Sequence, residues 1–197
     1  MMSRVEPAIV FRGPTGRSYA VVSWVVAGVV LVAFTVNGGL SEVVAFGAFP
    51  LLLAVAGWAA FWRPQVRVTR DGVRVVNVLS TTWLPWAAIT GTRTRWGLEL
   101  TTHHRPVGAW ALPARSAVGR VTSRNREWPS LPPLERLERV VPGGGDPEVA
   151  AALVEAHRTG DAALAAGAAP RAEHRLDPLP AALLLVSAAL VALTLLR

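Results

Sequence analysis

Charge disappears from this chain three times. No Asp, Glu, Lys or Arg occurs from Ser18 to Ser41, from Val43 to Trp62, or from Pro178 to Leu196, runs of 24, 20 and 19 residues. An α-helix needs about 20 apolar residues to cross the hydrocarbon core of a bilayer. Buried helices of a soluble bundle seldom run that far without one charged position. Arg4, Arg12 and Arg17 precede the first run as they would precede a signal peptide. Its apolar core is long, however, no small-x-small cleavage pattern clearly follows, and a second apolar run begins almost at once. The pattern therefore predicts a transmembrane helical hairpin over residues 19–62. Its arms are Tyr19 to Val36 and Val43 to Trp62, and Asn37, Gly38 and Gly39 turn it. A third transmembrane helix is expected over residues 178–196. Glu42, the one acid within the hairpin, reads as a boundary residue.

Between the spans the period changes. Val66 and Val68 alternate with Arg67, Asp71-Gly72 supplies turn chemistry, and Val73 to Leu79 resumes a β-branched run, which together predict a hairpin. Thr81 to Ile89 carries Pro85, which confines it to an edge or to the start of a strand. Further strands are expected at Thr90 to Arg95, at Gly97 to Thr102, and at Val107 to Leu112, the last two joined antiparallel across His103 to Pro106. From Pro113 to Pro133 the periodicity stops, and this stretch reads as an irregular insertion. Leu134, Leu137 and Val141 recur at helical spacing, with Glu135 and Arg139 as an i,i+4 pair, so one or two helical turns are expected there. Asp146, Pro147 and Glu148 have the form of an N-cap, an N1 proline and an acidic first turn, opening a helix over 146–166. The expected organisation is an N-terminal segment 1–18, the hairpin 19–62, a small antiparallel β domain with its C-terminal helix over 63–169, a linker 170–177 and the last span. In class this is an α+β membrane protein.

Composition supports that reading and orients it. Of the 197 residues, 52% are hydrophobic and only 17% charged, against about 25% charged in an ordinary soluble domain. The net charge is +7, and all 20 basic residues are arginine. Arginines flank the hairpin on its outer ends, with Arg63, Arg67, Arg70 and Arg74 following it, while its turn contains none. By the positive-inside rule both ends of the hairpin face the cytoplasm. The expected topology of this cell (inner) membrane protein is multi-pass: the N-terminus and residues 63–177 cytoplasmic, the C-terminus external. Tyr19, Trp24, Trp58, Phe61 and Trp62 would then anchor that interface.

Two apolar runs, a strand, the Asp71-Gly72 turn, a strand ending in Val75-x-Asn77, and Leu84-Pro85-Trp86-x-x-Ile89 together resemble a known family. The chain from Ala20 to Leu112 is similar to the actinobacterial membrane proteins with a bacterial pleckstrin-homology-like (PH-like) domain, the family that includes low molecular weight protein antigen 6. The resemblance implies a small, strongly bent antiparallel barrel closed by a C-terminal helix, with Asp71, Gly72, Asn77, Pro85, Trp86 and Ile89 as structural motif positions. It brings no catalytic residue and no ligand. The insertion at 113–133 and a third span depart from the family pattern.

Few residues of this chain carry recognisable chemistry. The chain has no cysteine, which removes disulfides, thiol catalysis and thiolate metal sites. His103 and His104 are adjacent, so in a strand they would point to opposite faces and not share one metal. His157 lacks the His-Glu-x-x-His partner of a metalloprotease, and no phosphate-cradling Gly loop or nucleophile elbow occurs. Arg93, Arg95 and Trp96 suggest nucleic acid, but a domain tethered at both ends and lacking an RNP-type motif argues against that partner. The remaining candidates are two arginine groups, Arg63, Arg67, Arg70 and Arg74 beside the spans, and Arg115, Arg120, Arg124 and Arg126 in the insertion. Each is a candidate contact for anionic lipid headgroups or a protein partner, at about 1 kcal/mol per residue near a charged leaflet. The sequence thus predicts a non-catalytic binding or scaffolding module without metal or cofactor, its partners the lipid bilayer and an unidentified protein. The alternative is an accessory subunit of a membrane enzyme or transporter complex.

Overall fold

The computed structural model describes residues 9–114, 139–140, 146–161 and 172–196. The chain divides into two compact units, one of Met1–Pro14 and Pro64–Arg175, the other of Thr15–Arg63 and Leu176–Arg197.

The first unit is built on two sheets. Strands β1 (Ile9–Phe11), β2 (Gln65–Val68), β3 (Gly72–Val76) and β4 (Ser80–Pro85) lie side by side and antiparallel, with Ile9 opposite Val68, Val66 opposite Val75, and Val73 opposite Leu84. A short 3₁₀ turn, Trp86–Ala88, then leads to a second antiparallel sheet of β5 (Ile89–Arg93), β6 (Gly97–Thr102) and β7 (Val107–Pro113). Two small strands extend the first sheet at its edges. β8 (Arg139–Val140) runs parallel to β1, and β9 (Glu173–Leu176) lies beyond β4. The strictly alternating residues Val66, Val68, Val73, Val75 and Leu84 all face inward and are fully buried. Leu98, Leu100 and Leu112 of the second sheet join them in one core. Helix α3 (Pro147–Asp161) adds Ala150, Leu153 and Val154 to the same core. Each fully buried valine or leucine among them contributes roughly 1.5–3 kcal/mol.

Local chemistry explains the boundaries. Asp146 caps α3 by accepting the Glu148 N–H at 3.0 Å, and its carbonyl takes the first helical bond from Ala150. Gly72 admits no side chain, because a Cβ there would meet the Leu84 carbonyl oxygen at 2.3 Å. Pro85 stands at the end of β4 where a strand start or an edge was expected, opposite Gly72, and from that terminal position its missing N–H interrupts no ladder within the strand.

Further expectations change. Ile9–Phe11, within the expected N-terminal segment 1–18, is a strand of the sheet, and Glu173–Leu176 is an edge strand where a linker was expected. Arg139–Val140 is a strand, not the end of a helical turn, because β1 offers it an unpaired edge. The small antiparallel β domain expected over 63–169 is present as two sheets around one core, and it draws strands β1 and β9 from outside those limits. The rest of the 134–141 expectation, the insertion, and residues 162–166 of the expected helix lie outside the described residues.

The second unit is helical. Helix α1 (Pro14–Phe46) contains a break at Gly39, whose φ of +63° is a left-handed conformation open to glycine. The chain doubles back there. Phe34 and Phe46 have ring centroids 6.0 Å apart, whereas 12 residues of straight helix would separate them by about 18 Å. Helix α2 (Ala48–Gly57) and a π turn (Trp58–Trp62) complete the return. Trp24 donates its indole N–H to the Ala54 carbonyl at 3.1 Å, and Gly57 abuts Ser23 so closely that a Cβ would lie 2.7 Å away. Helix α4 (Pro178–Leu195) packs on α2. Two helices, Thr15–Phe46 and Pro178–Leu195, are long and apolar enough to cross a membrane. The expected second span is divided: Val43 to Phe46 finish α1, and the helical stretch Ala48–Trp62 that follows is shorter than that criterion.

Candidate functional site

On the outer face of the first sheet the same alternation that buries valine places arginine, half-buried at Arg67 and exposed at Arg74. Arg67 of β2 stands directly opposite Arg74 of β3, and Arg74 directly opposite Trp83 of β4. The Arg74 guanidinium lies over the Trp83 ring, 5.6 Å from its centroid. Arg70 and Asp71 are exposed in the turn between β2 and β3. At the start of β2, Gln65 accepts a 2.8 Å hydrogen bond from Arg12.

The arginines grouped by sequence do not all share this face. Arg63 belongs to the helical unit, where it forms an ion pair with Asp177. Arg115, Arg120, Arg124 and Arg126 lie outside the described residues. The structure therefore brings together Arg67 and Arg74, adds Trp83 to them, and commits Arg63 elsewhere. Trp83 was accessible to sequence reasoning only through its register with Arg74, which the period-2 pattern does not fix.

The motif positions hold the two sheets and the helix in place. Asn77, just beyond β3, donates from Nδ2 to the Gly108 carbonyl and accepts the Trp110 N–H at Oδ1, both at 2.9 Å, so its amide acts as a rung on the free edge of β7. Trp86 donates its indole N–H to the Arg70 carbonyl at 2.7 Å, and its ring stacks on His157 of α3, with centroids 5.7 Å apart and planes 15° from parallel. Ile89 is buried in the core. Residues 63–129 match the bacterial PH domain. This match to the family model covers β2 through β7 and so leaves out β1, β8, β9 and α3, which share its sheets and core. No curated protein and no solved structure matches the chain.

Elsewhere in the PH-like unit the histidines have ordinary roles. His103 and His104 are exposed in the loop after β6, where the Thr102 hydroxyl holds the turn through the His104 and Arg105 N–H groups. His174 of β9 shares a 2.9 Å hydrogen bond with the buried Thr82. Among the described residues no three His, Cys, Asp or Glu side chains are grouped to hold a metal ion. In α3, a hydrogen bond from Arg158 holds the Glu155 carboxyl below its usual pKa, partial burial opposing it and the arginine's charge assisting.

Proposed function

We propose that this chain is a membrane-anchored PH-like domain, a non-catalytic binding or scaffolding module at the inner face of the cell membrane, akin to the actinobacterial proteins it resembles. One observation carries the reading. The strand order of the PH-like unit is interrupted between β1 and β2 by a folded-back apolar hairpin, and a third apolar helix follows β9 directly. A domain joined to apolar helices at three points has little freedom to leave a bilayer that takes those helices. Arg67 and Arg74, with Arg70 in the adjoining turn and the four insertion arginines, are the proposed contacts for anionic headgroups or an acidic partner segment. Each adds about 1 kcal/mol when brought near such a surface.

The chain's lack of cysteine makes a direct test available. Single substitutions Ser41→Cys, His104→Cys and Leu196→Cys are probed in intact cells with a membrane-impermeant maleimide. Cysteines at 41 and 196 are expected to label from outside, and the one at 104 only after permeabilisation. Labelling at 104 in intact cells would place the domain on the other side. Release of the protein by alkaline carbonate would end the membrane reading itself.

A further inference from the structure

The turn between β5 and β6 presents a tryptophan to solvent. Trp96 is 82% exposed, the most exposed of the aromatic side chains in the described PH-like unit. Aromatic side chains of this size bury 150–250 Å² when they find a partner, so leaving one in water forgoes a large hydrophobic gain. The Trp96 ring is not left there by a slack loop. The turn is closed by the Gly97 N–H reaching the Thr94 carbonyl at 3.4 Å. Gly97 has a φ of +119°, and a Cβ on it would lie 2.6 Å from the Leu112 carbonyl oxygen, so the backbone below the ring is fitted closely against β7. The Arg95 guanidinium lies over the Trp96 ring, 5.3 Å from its centroid. Arg93, two residues earlier, is 3.8 Å from Glu99 and largely exposed. A fixed turn thus offers an amphipathic ring with a cation stacked on it.

We propose that the Arg95–Trp96 turn is an interfacial anchor that places the Trp96 ring among the headgroups of an anionic phospholipid bilayer. Tryptophan prefers that depth because its indole has an apolar body and a polar N–H, and arginine is drawn to the negative leaflet. This rests on the membrane reading above. It goes further by committing one turn of the second sheet, remote in sequence from the arginines already named, to the bilayer surface. Tethering makes the anchor effective, since a weak surface contact becomes intramolecular once the chain is held at the same membrane.

The test uses the full chain in lipid nanodiscs, with an environment-sensitive nitrobenzoxadiazole label on Thr94→Cys. In nanodiscs containing anionic phospholipid the label is expected to shift to shorter wavelength and to resist an aqueous quencher, and in purely zwitterionic discs to do so less. Adding Trp96→Ser returns it to the aqueous signal. Adding Arg95→Ser lowers the bound-to-free ratio of the turn about fivefold, the factor expected for one arginine at an anionic surface. A second label, on Val29→Cys within α1, reads the membrane proposal separately. If Val29 is shielded by lipid while Thr94 stays aqueous in both discs, the anchor is refuted and the membrane reading stands. If Val29 is itself aqueous, the membrane reading fails and the anchor with it. A Thr94 label shielded only when soluble cell protein is added would assign the turn to a protein partner and overturn the lipid assignment.

Discussion

Replacing Asn77 with alanine removes one amide and two hydrogen bonds, those to Gly108 and Trp110 of β7. An ordinary protein hydrogen bond contributes about 1 kcal/mol net, so the pair is worth about 2 kcal/mol, falling towards 1 where water replaces the amide at this exposed edge. For a protein of this size that loss lowers Tm by roughly 2–8 °C. The local consequence is more diagnostic than the global one. The Trp110 N–H loses the Asn77 oxygen, so the peptide spanning 107–113 should exchange amide hydrogen faster in Asn77→Ala, while β2 and β3 change little. Asn77→Asp separates the two bonds, because the carboxylate still accepts from Trp110 but sets an oxygen against the Gly108 carbonyl. It should be destabilised near neutral pH and recover on acidification, when a protonated carboxyl donates again. Thermal unfolding of the full chain in detergent, with hydrogen exchange read by mass spectrometry, checks all three statements. An unchanged Tm and unchanged exchange over 107–113 in Asn77→Ala would show that the amide does not join the sheets.

Other substitutions test other joints. Gly72→Ala forces a Cβ against the Leu84 carbonyl and should cost more than Asn77→Ala, read as a larger fall in Tm. Leu153→Ala empties a fully buried site shared by α3 and the sheets and should cost about 2–5 kcal/mol by chemical denaturation. Trp86→Phe keeps the stacked ring but removes the donor to Arg70, and should cost about 1 kcal/mol by the same assay. Glu155 has its carboxyl pKa lowered by Arg158 in the folded state, so the unfolded chain binds more protons as pH falls. Its contribution is therefore present above the ordinary carboxylate pKa and lost as pH drops through the lowered one. Glu155→Gln should flatten that part of the acid-stability profile by less than about 1 kcal/mol, because the pair is solvent-exposed.

The strands were legible where both rules of a half-buried sheet applied. Val66, Val68, Val73 and Val75 alternate with arginines, and Asp71-Gly72 marks the turn between them, so β2 and β3 could be placed from the sequence. The cap at Asp146 was equally plain. The short edge strands were not. Three residues, Ile9–Phe11, carry no period long enough to measure, and β1 exists because β2, more than fifty residues later, supplies its partner. Glu173–Leu176 is exposed throughout and strongly polar, which in isolation reads as a connector. At the candidate site, the composition of the arginine group was visible but its division was not. Arg63 is removed from it by Asp177, 114 positions away, an ion pair that no local pattern announces.

The pairing of β1 with β2 also sets an order of events during synthesis. Ile9–Phe11 leaves the ribosome long before its neighbour, and the helical hairpin makes up almost all of the chain between them. The sheet cannot close until Val68 has emerged, and by then α1, α2 and the π turn have already been made. Bridging two strands across a free loop of that length carries an entropic cost that grows with the logarithm of loop length. A hairpin that has already folded back brings the two ends of the loop together and removes much of that cost. Folding of the helical hairpin and folding of the β unit are therefore one process, and a fragment cut at residue 63 would begin with β2 as an open edge where a native neighbour is missing.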